Sequence, residues 1–172
     1  MANQLIERFN KIKAFVFDVD GVLTDGKLLL LANGEMLRNT NVRDMLALQY
    51  AIEMRYKICI VSEVSSDAIG GWLDAMGITD IFFNLEKKLT AVDNFIMEHG
   101  VSIDEIAFLG DDVGDIETMK LVGLAACPAD ASSEVKAVAQ YVAQAKGGEG
   151  CARELIEMVL RAQERWITQN IV

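Results

Sequence analysis

Several apolar runs in this chain are unbroken and end abruptly on a polar residue. Ala14-Phe15-Val16-Phe17 stops at Asp18, Ile58-Cys59-Ile60-Val61 stops at Ser62, and Ala107-Phe108-Leu109 stops at Gly110-Asp111-Asp112. Ile81-Phe82-Phe83 and Leu124-Ala125-Ala126 are similar, with softer ends. Runs that do not alternate suit strands buried on both faces, as in a parallel sheet. Between them the period changes. Ile69, Trp72, Leu73 and Met76 fall at helical spacing, with Ser65 or Ser66 available as a cap and Gly77 as a stop. Leu89, Val92 and Ile96 repeat the pattern before Gly100, and Ile116, Met119 and Leu121 or Val122 make a shorter stretch before Gly123. Strand and helix in alternation predict an α/β, doubly wound, Rossmann-like parallel sheet. One segment departs from it: Lys27–Leu31, then Asn33-Gly34, then Met36–Thr40 reads as a β-hairpin with Asn-Gly at the turn, where a helix would otherwise follow the first strand. With no linker-like tract or repeat, residues 1–172 are expected to form one domain carrying a hairpin flap.

Length and composition leave this picture unchanged. A chain of 172 residues with 52% hydrophobic and 24% charged residues is ordinary globular material, able to bury roughly 70% of its unfolded surface. Cys59, Cys127 and Cys151 are far apart and show no CxxC spacing. They predict neither a disulfide framework nor a zinc site and suit a reducing cytoplasm. A net charge of −10 repels nucleic acid and anionic lipid at long range. The first residues, MANQLIERFNKIK, lack the apolar stretch of a signal peptide, and no apolar run is long enough to span a bilayer.

The strand ends carry the chemistry. In open α/β sheets, ligands bind beyond the carboxyl ends of the strands, which is where the pattern places Asp18, Ser62 and Asp111. Asp18 and Asp20 form one acidic pair, and Asp111, Asp112 and Asp115 form a second group. Carboxylates gathered in one pocket repel unless a cation holds them, and hard oxygen donors suit Mg²⁺. Such a set supports phosphoryl transfer: one carboxylate attacks phosphorus, and another serves the leaving group and then water as acid and base. A hydroxyl and an ammonium, Ser62 and either Lys87 or Lys88, complete the cradle around the phosphoryl oxygens.

Phe17-Asp18-Val19-Asp20-Gly21-Val22-Leu23-Thr24-Asp25-Gly26, followed by Ser62, a lysine and Gly110–Asp115, resembles the motif series of the haloacid dehalogenase superfamily. The resemblance implies Asp18 as nucleophile, Asp20 as acid and base, and Lys88 in Lys-Leu-Thr-Ala as the family lysine. It also implies Mg²⁺ on the side chains of Asp18 and Asp111 and the carbonyl of Asp20, with Asp112 and Asp115 behind them. A hairpin in place of a cap domain, together with Asn41-Val42-Arg43-Asp44, Cys127-Pro128-Ala129-Asp130-Ala131 and Gly147-Gly148-Glu149-Gly150, resembles the 3-deoxy-D-manno-octulosonate 8-phosphate phosphatases. That family implies a lipopolysaccharide sugar-acid phosphate as substrate and a homotetramer whose hairpins meet at the centre. Some relatives act on nine-carbon sugar-acid phosphates.

Three residues, in two places, depart from the family pattern. Glu63-Val64 follows Ser62 where the family has glycine and then a basic or polar residue, and Met45 follows Asp44 where it has glycine. Arg43, Asp44 and Glu63 are therefore the candidate substrate contacts, and a nine-carbon or other sugar phosphate is the alternative substrate. A phosphorylatable receiver domain would place its acidic pair before the strand of its phospho-acceptor, the reverse of the order here. A non-catalytic binding subunit is disfavoured by the intact Asp18, Asp20, Lys88 and Asp111. The segment Lys146–Gly150 reads as a turn before the last helix, with a closing role implied by resemblance. His99 is expected to serve the C-terminal dipole of its helix, and Trp166 to pack at a subunit contact.

Overall fold

The computed structural model describes residues 2–166. In chain order, α1 (Ala2–Lys11) leads into β1 (Ala14–Asp18), and the hairpin strands β2 (Leu29–Leu30) and β3 (Met36–Leu37) follow. Next come α2 (Val42–Glu53), β4 (Lys57–Val61), α3 (Asp67–Ala75), β5 (Asp80–Phe82), α4 (Lys88–His99) and β6 (Ile106–Leu109). The order closes with α5 (Ile116–Met119), β7 (Leu124–Cys127), α6 (Ser133–Val138), β8 (Tyr141–Val142) and α7 (Cys151–Ala162).

Six strands pair in the order β5-β4-β1-β6-β7-β8, all parallel. The central strand β1 shows why its sequence does not alternate. Phe15 and Phe17 face a layer with Phe9, Leu48, Leu73, Leu155 and Val159, while Ala14 and Val16 face a second layer with Val92, Phe95, Met119 and Val135. Both faces are covered by helices, so every position is apolar. Ser66 caps α3 by accepting the Ile69 N–H, and Gly100 ends α4 in the left-handed region at φ +64°.

The hairpin forms, but its turn is shifted by one residue. Gly34 donates to the Leu31 carbonyl at 2.9 Å, so Ala32 and Asn33 lie at the centre of the turn. Gly34 supplies the left-handed residue that follows it, at φ +89°. Asn33 Oδ1 accepts the Glu35 N–H at 3.1 Å instead of occupying a left-handed position itself. Trp166 departs from expectation as well. It is buried within its own chain, edge-on to Tyr50 and beneath the Arg153 guanidinium. Its aromatic area is taken up by α2 and α7. His99 does end α4, and its Nε2 lies 2.9 Å from Asp80 Oδ2, tying the helix end to β5.

Candidate active site

The parallel register brings Asp18, at the end of β1, beside Val61 of β4. Ser62 and Gly110-Asp111 follow directly from the flanking strands. Beyond Asp18 the chain makes a wide turn, closed by Thr24 N–H to the Val19 carbonyl at 3.0 Å. At its corner Gly21 takes φ +87°, and a Cβ there would lie 2.0 Å from Asp111 Oδ2. Glycine thus provides both the turn and the close approach of the second acidic strand end.

Lys88, at the start of α4, is buried between two carboxylates, with Nζ 3.0 Å from Asp18 Oδ1 and 2.7 Å from Asp115 Oδ1. Lys87 is exposed and serves only as the residue preceding the helix. Burial pulls the Lys88 ammonium down, and the two carboxylates more than offset that, leaving its pKa raised. Burial raises the Asp18 carboxyl to about 6, helped by Asp115 and opposed by Lys88. Asp111 is pushed further, to about 8, by burial and then by the charges of Asp18 and Asp115.

Carboxylate oxygens of Asp18, Asp111 and Asp115 all lie within 4.8 Å of one another. Asp115 is already satisfied: Oδ1 takes Lys88, and Oδ2 accepts the backbone N–H groups of Asp111 and Asp112 at 2.9 and 3.3 Å. Asp111 Oδ1, by contrast, is buried without a hydrogen-bond partner. A buried carboxylate oxygen with no donor, on a residue clustered with two other carboxylates, fits a hard cation. Asp18 and Asp111 are the residues that would hold it. Asp112 is exposed and caps the short turn Val113–Asp115.

The remaining candidates separate. Ser62 is buried, and its Oγ accepts the Val64 N–H at 3.2 Å, which leaves its own proton free to donate. Glu63 is exposed and its carboxylate lies over the Asp112–Asp115 loop, so close that a Cβ at Gly114 would be 2.2 Å from Oε1. Arg43 is exposed in the first turn of α2. Asp44 is 1% exposed, and its Oδ1 accepts the Arg153 N–H of α7 at 2.6 Å. Burial raises its carboxyl to about 6. The structure thus ties Asp44 Oδ1 to the N-terminus of α7, while its Oδ2 is buried without a hydrogen-bond partner.

Four contributors had no role assigned from the sequence, although Thr24, Asn41 and Asp130 stand inside the motifs quoted for the resemblance. Arg38, on the returning arm of the hairpin, grips Asp20 with Nε at 2.7 Å from Oδ1 and Nη2 at 3.1 Å from Oδ2. Thr24 Oγ1 donates to Asp20 Oδ1 at 3.2 Å. Asn41 donates to the Gly148 carbonyl, and Asp130 accepts the Gly147 N–H. These last two tie the Lys146–Gly150 loop to the start of α2 and to the loop after β7, and Gly148 N–H reaches the Val22 carbonyl in the turn after β1 at 2.9 Å. A Cβ at Gly147 would sit 1.9 Å from the Gly21 carbonyl oxygen.

This fold and this set of strand-end carboxylates around a buried lysine define a hydrolase class. Residues 62–155 match the haloacid dehalogenase-like hydrolase family, and the chain belongs to it. Its relatives place it among the phosphatases of that family. The 3-deoxy-D-manno-octulosonate 8-phosphate phosphatase of Haemophilus influenzae is 32% identical over 157 residues, 91% of this chain and 87% of that protein. The crystal structure of the Moraxella catarrhalis phosphatase of the same name, in complex with magnesium, phosphate and KDO, superposes with a TM-score of 0.93 at 28% identity, covering 96% and 95% of the two chains. A cobalt-bound structure of the Haemophilus enzyme gives 0.87 at 32% identity, covering 91% and 92%. Enzymes of this kind are metal-dependent. Among the described residues no helix is long and apolar enough to cross a membrane.

Proposed function

We propose that this chain hydrolyses 3-deoxy-D-manno-octulosonate 8-phosphate, with Asp18 as nucleophile and Mg²⁺ as its ion. The observation that carries this reading is the buried Asp18, held by Lys88 through Oδ1 and clustered with Asp111, whose Oδ1 is buried without a partner. That arrangement occurs in a chain whose relatives match it along nine-tenths of its length.

Asp18 Oδ2, the oxygen not held by Lys88, attacks phosphorus as the ester P–O bond breaks. The departing alkoxide takes a proton from Asp20, leaving an aspartyl phosphate and a free sugar acid. Water then attacks the same phosphorus, gives its proton to Asp20, and displaces the Asp18 carboxylate to release phosphate. Lys88 and the Ser62 hydroxyl hold phosphoryl oxygens through both steps. Mg²⁺ on Asp18 and Asp111, when bound, offsets the negative charge that develops on the phosphoryl group.

Glu63 gives a specific reason to weigh a nine-carbon or other sugar phosphate, because its carboxylate lies over the Asp112–Asp115 loop beside the site and would repel an anionic sugar. The apolar hairpin residues Leu28, Leu29, Leu30, Met36 and Leu37 are all exposed, and a homotetramer built on the hairpins would cover them. Three free, buried cysteines suit the cytoplasm. The test is phosphate release from a panel of sugar phosphates with Mg²⁺ or EDTA, with Asp18→Asn as blank, alongside a sedimentation measurement of mass. Dominance of the eight-carbon substrate with an inactive variant supports the reading. Preference for another sugar moves the substrate and keeps the chemistry. No release from any substrate points to a binding subunit.

A further inference from the structure

The hairpin is an exposed structure with one buried side chain at its root. Leu29 and Leu30 are 61% and 69% exposed, whereas the Arg38 side chain is 5% exposed. The returning arm is seated on the turn after β1 by an isolated bridge between Thr24 and Thr40, and Asn39 Nδ2 reaches Asp25 Oδ2 at 3.4 Å. Arg38 therefore enters the site from the flap, two residues before the bridge at Thr40. Its guanidinium meets Asp20 as a fork, with two donors on two oxygens. An exposed ion pair formed by chance would be single-pointed and mobile. A sheltered fork fixes the plane of the carboxylate as well as its position.

The two Asp20 oxygens are not equivalent. Oδ1 accepts from Arg38 Nε at 2.7 Å and from Thr24 Oγ1 at 3.2 Å, while Oδ2 has only Arg38 Nη2 at 3.1 Å. Oδ1 is the anchor, and Oδ2 keeps a lone pair in reserve. We infer that Arg38 is a positioning residue for Asp20: it and Thr24 fix Oδ1 so that Oδ2 is the oxygen that gives a proton to the leaving group and takes one from water. The inference rests on the reading of Asp20 as acid and base, and it makes the flap part of the chemistry instead of a lid over it.

The leaving group supplies the test. The value of kcat/KM reports the steps through transfer of phosphorus to Asp18. An alkyl leaving group needs a proton in that step, and p-nitrophenolate does not. Arg38→Ala and Arg38→Lys are assayed on the sugar phosphate turned over fastest and on p-nitrophenyl phosphate, with melting temperatures measured beside them. Arg38→Ala is expected to lower kcat/KM about 100-fold on the sugar phosphate and about threefold or less on the aryl ester, the scale of a mispositioned general acid. Arg38→Lys, whose ammonium cannot fork, should fall between on the sugar phosphate. Equal losses on both substrates, or none on either, overturn the inference. If Arg38→Ala does not fold, the same comparison is read from Arg38→Lys. Asp20→Asn separates the two readings. If it keeps full kcat/KM on the sugar phosphate, the acid assignment itself fails. If it shows the leaving-group dependence and Arg38→Ala does not, only the role of Arg38 fails.

Discussion

Replacing Lys88 with methionine keeps most of the side chain's volume and removes its charge. The ammonium sits 3.0 Å from Asp18 and 2.7 Å from Asp115, and all three residues are at most 6% exposed. Removing one member of a buried ionic cluster leaves the others without compensation, at a cost of about 3–5 kcal/mol. For a domain of this size that corresponds to a fall in Tm of about 10 °C or somewhat more. The deficit should be largest near pH 8, where Asp18 is ionised, and should shrink toward pH 5 as Asp18, raised to about 6 by burial, takes up its proton. Mg²⁺ should recover part of it through Asp18, and none through Asp115, whose other oxygen is occupied by backbone N–H groups. The assay is calorimetry of the variant in EDTA and in Mg²⁺ at both pH values, with Lys87→Met as the exposed control. A Lys88→Met protein that melts within about 2 °C of the parent, less than 1 kcal/mol on the same scale, would refute the account of the buried triad.

Stability of the metal-free protein should fall as pH rises from about 4 to 8. Asp111 and Asp18 are raised to about 8 and about 6, so the folded state keeps protons there that the unfolded chain has lost. Thermal melts across that range check the sign, and Mg²⁺ should stabilise most at the alkaline end. Gly147→Ala would drive a Cβ into the Gly21 carbonyl, and is expected to lower kcat far more than Tm by shifting the turn that carries Asp20. Ser66→Ala removes a cap from α3 and should cost about 1 kcal/mol in urea unfolding, with KM little changed. Ca²⁺ in place of Mg²⁺ should inhibit, because its larger and looser shell does not suit the pair of carboxylates. Turnover in Ca²⁺ equal to that in Mg²⁺ would count against that geometry.

The parts of this molecule legible in the sequence are those whose cause is local or periodic. Phe15 and Phe17 alternate with Ala14 and Val16, yet all four are apolar because helices lie on both faces, and the unbroken run announced it. The polar stops at Asp18, Ser62 and Asp111 were legible for the same reason, since a parallel sheet aligns its strand ends. Lys88 could be separated from Lys87 only by family resemblance, because both are compatible with a helix start and only the fold shows which one is buried. Arg38 gave no local signal, its partner Asp20 lying 18 residues away across the hairpin. Asp44 gave no local sign of its structural partner either, since its Oδ1 receives a backbone N–H from 109 residues further along. The hairpin turn missed by one residue because Asn33 can bond to its own following backbone as readily as adopt a left-handed conformation.

Helix α7 covers residues from the opposite end of the chain. Leu155, Ile156, Val159 and Leu160 share a core with Phe9, Ile12, Leu48 and Ala51, and the Gln163 amide donates to the Phe9 and Ile12 carbonyls at the end of α1. During synthesis, a nascent chain that has reached residue 150 already holds Asp18, Asp20, Lys88 and Asp111, but α1 and α2 still expose the apolar side chains that α7 will bury. The ribosome thus releases the proposed reactive groups before it releases the segment that closes the core, and in that interval the protein depends on not meeting another unfinished copy of itself.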